Sequence, residues 1–563
     1  DHDIGTSTVT ADVVVTSDII YVTNTNDTAT IDLSNGVSFS EAVAIAALDA
    51  TGSQTIVFAS SLAGQTLNLN TVSINESLTF DLDQASGLVL TGGTITLGGG
   101  TTQTFTHGAG DTAAINSIVA GSGALTKAGA GELSLSGAGN TFSGGTSISA
   151  GTLTVSGGNA LSDSGSVSVA SGATLALSGN EAVGNLSGAG SINLGNSTLS
   201  TNQSADTSFS GTISGNGGLT VSQSVSATYA LTLSGSNSYS GATTLLNYGW
   251  LKLNGEASIS NSSAVQVNGN SVLTLLSDQT IGSLASSAAT ASIQLGSYTL
   301  STGGDNSSTT VAGVISGNGA LIKQGTGTLT LAGNNTYAGS TTVSAGTLSI
   351  ASDANLGAGS LILAGSTLDI SGATTIDNAI TLTGNSSIGN ASAVTLSSAI
   401  SGAYDLSKTG SGTLTLSASN SYGATYVNAG TLSVSSDANL GSGAVNLAAG
   451  TTLALTGATT IDNAIILGGN ATLAASANAT VSGVVSGAFT LTKTGASTLT
   501  LSGANTYGAT TVSAGTLSVA SDGNLGSGTL TLGAGTTLAV TSAATIDNNI
   551  ALSGSATVNT GAN

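Results

Sequence analysis

Leu499 and Leu501 alternate with Thr498, Thr500 and Ser502, and beyond a Gly-containing turn Leu517 and Val519 repeat the scheme. A period of two puts the apolar side chains on one face of a strand and the hydroxyls on the other. Runs of this kind, about four to six residues long, rich in Thr, Val, Ile and Leu and broken by Gly, Asn or Ser, recur along the chain. The first 120 residues hold the one good helical pattern: "VSFSEAVAIAAL", where Ser38-x-x-Glu41 has the spacing of a capping box and Ala, Val, Ile and Leu follow at helical intervals.

The strands come in copies. Lys323, Lys408 and Lys493 are spaced by 85 residues (408 minus 323, 493 minus 408), and Ile376, Ile461 and Ile546 of "TIDNAI", "TIDNAI" and "TIDNNI" keep that spacing. A diverged copy starts near Lys127 and a weaker one near Val221, where valine replaces the lysine and Trp250 replaces the Thr of "AGTL". A unit of 85 residues divides into about four turns of roughly 21, the size of one rung of a β-solenoid. The expected fold is all-β, a parallel β-helix whose strands stack about 4.8 Å apart over a continuous apolar column. Roughly 25 rungs would make a rod on the order of 120 Å long. Residues 1–120 are expected to form an N-terminal cap with one short helix and the first rungs. Residues 121–563 are expected to hold five repeats of about 85–100 residues.

The order of residues in "LIKQGTGTLTLAGNNTYAGSTTVSAGTLSI", Leu321 to Ile350, resembles the passenger-associated repeat of bacterial autotransporters. That resemblance covers the chain from about residue 121 onward in five copies. It implies a right-handed β-helix on the outside of a bacterium, exported unfolded through an outer-membrane pore and folded beyond it. It implies no catalytic activity.

Composition agrees with a solenoid. There are 81 glycines and no proline among 563 residues; proline would remove an N–H from a ladder with neighbours above and below, and glycine and asparagine suit sharp corners. With no arginine and five lysines the net charge is −22, which leaves no basic stripe for nucleic acid and no basic membrane-surface helix. No run of about 18 apolar residues offers a membrane-spanning helix. A chain that begins at Asp1 and contains no methionine is expected to have lost a cleaved secretory signal. No cysteine means that disulfides supply none of its stability. At the other end, residues 562–563 align with Ala477-Asn478, so the sequence stops in mid-repeat. The natural chain is expected to continue there, or to meet the N-terminal region of another copy head to tail.

Candidate chemistry is sparse. "SDSGSV" (Ser162 to Val167) has the Asp-Ser-Gly core found around a serine-protease nucleophile, but the copies carry "NLGAG", "NLGSG" and "NLGSG" at that place, so Ser164 reads as a corner, and the only nearby base is His107. Glu132, Glu181 or the aspartates could supply the two carboxylates of a glycosidase. Asp377, Asp462 and Asp547 recur 85 residues apart, about 19 Å by four rungs, and read as corner residues. There is no cysteine or calcium-type nonapeptide, and Asp1-His2-Asp3 is a terminal tripeptide, so no metal or cofactor site is expected. The Asn-x-aromatic units, Asn140/Phe142, Asn237/Tyr239, Asn335/Tyr337, Asn420/Tyr422 and Asn505/Tyr507, read as packing devices, the Asn satisfying corner amides and the ring covering the column's edge. The recurring lysine is expected either to meet a corner carbonyl or carboxylate, or to serve as a solubilising surface charge. With no catalytic, cofactor or metal residue assigned, the function expected is non-catalytic: an extracellular structural and adhesive fibre, meeting another copy or a surface glycan. The alternative is a polysaccharide-active β-helix enzyme.

Overall fold

The computed structural model describes residues 18–561 apart from 29, 50–53, 137–138, 225, 227 and 256–257. Asp1-His2-Asp3 and the terminal Ala562-Asn563 lie outside the described residues. The chain is a parallel β-solenoid of about 25 turns, which divides into two compact units, Asp1–Thr280 and Ile281–Asn563.

In the first unit the strand Ile19–Val22 pairs in parallel with Thr55–Phe58, which pairs with Thr79–Asp81. The helix Phe39–Ala46 starts where the capping-box spacing places it: the Ser38 Oγ accepts from the Glu41 amide at 3.4 Å, and Glu41 Oε2 accepts from the Ser38 amide at 2.8 Å. Burial pushes the Glu41 carboxyl up, but the Ser38 and Asp32 amides outweigh it and hold the group below its ordinary value. The helix packs on Ile19–Val22 and Val72–Ile74. Phe39 lies 6.1 Å from Phe58 and 5.6 Å from Phe80 between ring centroids, and Phe80 stacks on its in-register neighbour Phe105 at 4.9 Å. From there an eight-stranded sheet, Thr66–Leu69 to Thr212–Ser214, climbs through the unit.

The second unit shows how the copies map onto turns. One ten-stranded sheet runs from Thr309–Val311 to Val485–Ser486 and a second from Thr374–Ile376 to Ile550–Leu552. The third side of each turn holds strands such as Leu321–Lys323 and Thr341–Val343 in the early turns and a six-stranded sheet, Thr460–Ile461 to Thr557–Thr560, in the late ones. Along the first sheet Ser407, Tyr426, Asn446, Ile466 and Ser486 stack in register on successive turns. Along this column a turn takes 19 or 20 residues, and along the second ten-stranded sheet and the six-stranded one 18 to 21, close to the 21 expected, because three short strands and three tight corners close it. Four turns use 79 residues (486 minus 407), and the remaining six of the 85 carry the chain to the next face. Accordingly Lys408 lies on the first ten-stranded sheet and Lys493 on the second. Each copy is four turns plus one face.

The alternation settles the core. Leu499, Leu501, Leu517 and Val519 are fully buried, as are their counterparts in every copy. The Gly of "AGTL" has a positive φ, 70° at Gly515, and a Cβ there would stand 2.5 Å from the Gly495 carbonyl oxygen of the preceding turn, so only glycine fits.

Candidate functional site

Four of the five lysines are buried inside the column. Each strand holding one points the side chain inward, and the ammonium turns back to the corner that follows. Lys493 Nζ donates to the carbonyls of Thr494 at 3.0 Å, Gly495 at 2.6 Å, Ser497 at 2.7 Å and Ala514 at 3.0 Å. Lys127 donates to Ala128, Gly129 and Ala150, and Lys323 to Gln324, Gly325 and Ala345. Lys408 donates to Thr409 at 3.0 Å and Gly410 at 2.8 Å. Of the readings open from the sequence, the corner carbonyl is the one found. Burial pushes the ammonium groups of Lys127, Lys408 and Lys493 down to about 8, and lowers Lys323 as well.

The second copy solves the same problem with other residues. Val221 is buried in the lysine's place, and Gln223, two residues on, donates its Nε2 to the Tyr248 carbonyl at 3.0 Å and to the Tyr229 carbonyl. Tyr248 precedes Gly249 as Ala514 precedes Gly515, so the same corner is tied. Trp250 lies on the outer side, with its Nε1 donating to Thr274 Oγ1 at 3.0 Å and the Lys252 ammonium 4.4 Å from its ring centroid.

The Asn-x-aromatic units clamp successive turns. Asn505 Oδ1 accepts from the Val485 amide at 2.8 Å while its Nδ2 donates to the Asn524 carbonyl at 2.6 Å, and Asn140, Asn237, Asn335 and Asn420 bridge their corners in the same way. The rings do not cover the edge of the column; they are inside it, fully buried. The tyrosine hydroxyls pair with threonines, Tyr337 with Thr341 at 2.5 Å and Tyr507 with Thr510 at 2.8 Å. Such rings offer nothing to a ligand.

Carboxylates also hold corners. The Asp377, Asp462 and Asp547 amides donate to Oδ1 of Asp353, Asp437 and Asp522, at 3.2, 3.1 and 3.0 Å. Each recurring Asp thus has a carboxylate neighbour one turn away, and hydrogen bonding and charge from Asp522 push the Asp547 carboxyl up. The second aspartate of each pair, with the buried Asn355, Asn439 and Asn524 beside it, escaped the sequence reading; the signal was the recurrence of "SDANLG", "SDANLG" and "SDGNLG". Asn439 Oδ1 accepts from the Ser435 and Ser436 amides and its Nδ2 donates to the Ala418 carbonyl.

The residues considered for catalysis are not assembled. Glu132 is exposed and accepts from Thr154 Oγ1 at 2.6 Å. Glu181 belongs to a different sheet and points inward, accepting from the Leu161 and Ala160 amides at 2.8 and 3.3 Å, with burial pushing it up to about 7. Ser164 is a corner residue 3.3 Å from Ser162 Oγ, on the rim of a groove of about 420 Å³ that also takes in Asn140 and Asp163. His107 is buried and follows a strand three turns earlier, about 14 Å away along the stack. Burial, with the Lys127 charge, pushes its imidazole down to about 4. Among the described residues no group of three or more His, Asp or Glu side chains could hold a metal ion, and no helix is long and apolar enough to cross a membrane.

The buried lysine, the Asn-Tyr clamp and the glycine corner belong to one repeating motif. The family of the passenger-associated-transport-repeat matches residues 125–155, 230–253, 321–350, 356–383, 406–434 and 491–519. The chain carries passenger-associated-transport repeats. Five of those six segments are the copies marked by Lys127, the Val221 variant, Lys323, Lys408 and Lys493; the sixth, 356–383, lies in the latter half of the third copy. Over 327 residues the chain is 38% identical to the adhesin BmaC autotransporter of Brucella suis biovar 1, a match covering 54% of the chain and 9% of that relative. No solved structure matches. The resemblance seen in the lysine-glycine-tyrosine motif is thereby supported, and so is the autotransporter passenger character of the repeats.

Proposed function

We propose that this chain is a non-catalytic, adhesive structural segment of a bacterial surface protein, displayed outside the cell. The observation carrying the reading is the use made of the recurring polar groups. The recurring lysine or its glutamine substitute, the Asn-x-aromatic unit and, in the last three copies, the carboxylates of Asp353, Asp437 and Asp522 hold corners together, and what the strands turn outward is mainly Thr, Ser and Asn over many turns. That is a scaffold with a long surface and, among the described residues, no assembled acid-base pair. The kinship with an adhesin autotransporter supports the same reading, and a secreted, signal-cleaved precursor is part of it. The partner is a surface glycan or another copy of the chain.

The test is display of the repeats on non-adherent bacteria, with counting of cells retained on host-cell monolayers and on a lawn of the same bacteria. Retention on either surface, competed by purified chain, is expected. No retention on either, or release of reducing sugar from polysaccharide by purified chain, would overturn the reading in favour of the enzyme.

A further inference from the structure

The third, fourth and fifth copies contain one hexapeptide in two versions: Thr-Thr-Val-Ser-Ala-Gly at 341–346 and again at 510–515, and Thr-Tyr-Val-Asn-Ala-Gly at 425–430. The inward residues and the corner glycine are unchanged. Only two positions differ, Tyr426 and Asn428, and both side chains are exposed. The difference continues across the next two turns. The outward stack is Thr342, Ile362, Thr381 in one copy and Thr511, Thr531, Ala551 in another, but Tyr426, Asn446, Ile466 in the copy between. Here Tyr426 is 37% and Ile466 40% exposed. With Asn428 and Asn446 they line a shallow pocket of about 270 Å³.

Packing does not account for this set. Aromatic and β-branched side chains reinforce a sheet when they are neighbours on adjacent strands. Tyr426 and Ile466 are two strands apart, about 9.6 Å, with the half-buried Asn446 between them. Two apolar walls therefore flank a carboxamide floor, and a second carboxamide, that of Asn428, lies on the same strand as Tyr426. An aromatic face and an aliphatic branch suit the C–H faces of a sugar ring; the Asn428 carboxamide presents a donor and an acceptor to adjacent hydroxyls, and Asn446, whose Nδ2 also donates to the Thr425 carbonyl at 3.4 Å, keeps its Oδ1 and one N–H for them. No charged side chain lines the pocket, and the chain's net charge of −22 opposes an acidic sugar. The volume lies just under the range of drug-sized sites, which suits a single ring.

We propose that the Tyr426–Asn428–Asn446–Ile466 pocket binds one neutral hexopyranose ring of a surface glycan. The proposal rests on the adhesive reading and gives that surface a ligand class. The experiment is saturation-transfer NMR and titration of the purified chain with methyl hexopyranosides (gluco, galacto, manno and N-acetylglucosamine) and with a uronic acid glycoside. The variant is Tyr426→Thr with Asn428→Ser, which restores the wording of the neighbouring copies and should leave the melting midpoint unchanged. A matched control is Thr342→Ala with Ser344→Ala. We expect at least one neutral glycoside to bind, the uronate to bind weakly or not at all, the first variant to lose about tenfold or more in affinity, and the control to match the parent. Absence of binding to every neutral glycoside, or affinity unchanged in the folded Tyr426 variant, overturns the proposal. Cell retention read beside it separates the two claims. Retention that persists in that variant without sugar binding rejects the pocket and keeps the adhesive reading; sugar binding lost with Tyr426, in repeats that retain no cells, does the reverse.

Discussion

A buried lysine is an expensive choice for a core, and its worth lies in what it replaces. A corner between two strands leaves carbonyls facing inward with no ladder partner, and one ammonium with three protons can serve several of them. Removing it strands those oxygens. Lys493→Ala is expected to cost about 2–4 kcal/mol, read as a lower urea midpoint, and Lys408→Ala less, since Lys408 has two such bonds where Lys493 has four. Equal midpoints in both variants and the parent would refute the structural role. The same lysines set a pH dependence. Their folded values near 8 lie below the unfolded value of about 10.4, so between those limits the unfolded chain holds more protons and stability rises with pH. Tyrosine acts oppositely. Burial pushes Tyr422 up to about 12 and raises Tyr239, Tyr337 and Tyr507, so above about pH 10 the unfolded rings ionise and stability is lost as pH climbs toward their folded values. Urea midpoints from pH 7 to 12 should therefore peak near pH 10; a steady fall from pH 7 would mean that the corner carbonyls hold the ammonium charge more strongly than burial disfavours it.

At the scale of the element, the strands were legible because a period of two over Thr and Leu has a single physical meaning when one face is buried. Leu501→Asp, which would place an unpaired charge in that column, is expected to cost several kcal/mol and to abolish the cooperative melt of its copy. The helix at Phe39–Ala46 was legible from two residues, Ser38 and Glu41, whose reciprocal bonds formed as their spacing requires. The partners of the polar side chains were harder. The lysine's recurrence was visible, yet nothing in its spacing distinguishes a corner carbonyl from solvent, because that choice depends on where the turn closes. Gln223 could not be foreseen as a substitute for a lysine two residues earlier. The Asp353/Asp377 type of pair was hidden for a simpler reason: its members come from adjacent turns 24 residues apart, while attention to an 85-residue period compares only residues from different copies.

At the scale of the molecule, two quantities follow from where the charges and the copies are placed. With four lysines inside, the exposed charge is almost wholly negative, so lateral contact between copies is opposed at neutral pH and low salt. Light scattering should show association rising as pH falls toward 4.1, the sequence isoelectric point, and indifference to pH would mean that contacts between copies are made by uncharged patches. The second quantity is the angular step of the repeat. If a copy were four whole turns, residues 85 apart would lie directly above one another, about 19 Å apart. In the structure it is Ser407 and Ser486, 79 residues apart, that share a face after four turns, and Thr492, the counterpart of Ser407, lies on the next one. The absence of cysteine makes paired spin labels simple to introduce. Labels at Ser407 and Ser486 should give the shorter distance, and labels at Ser407 and Thr492 a longer one, because the extra six residues turn a corner. The opposite order would restore the four-turn unit. It would also remove the reason why like surfaces of successive copies, including the stack that bears Tyr426, point in different directions around the solenoid.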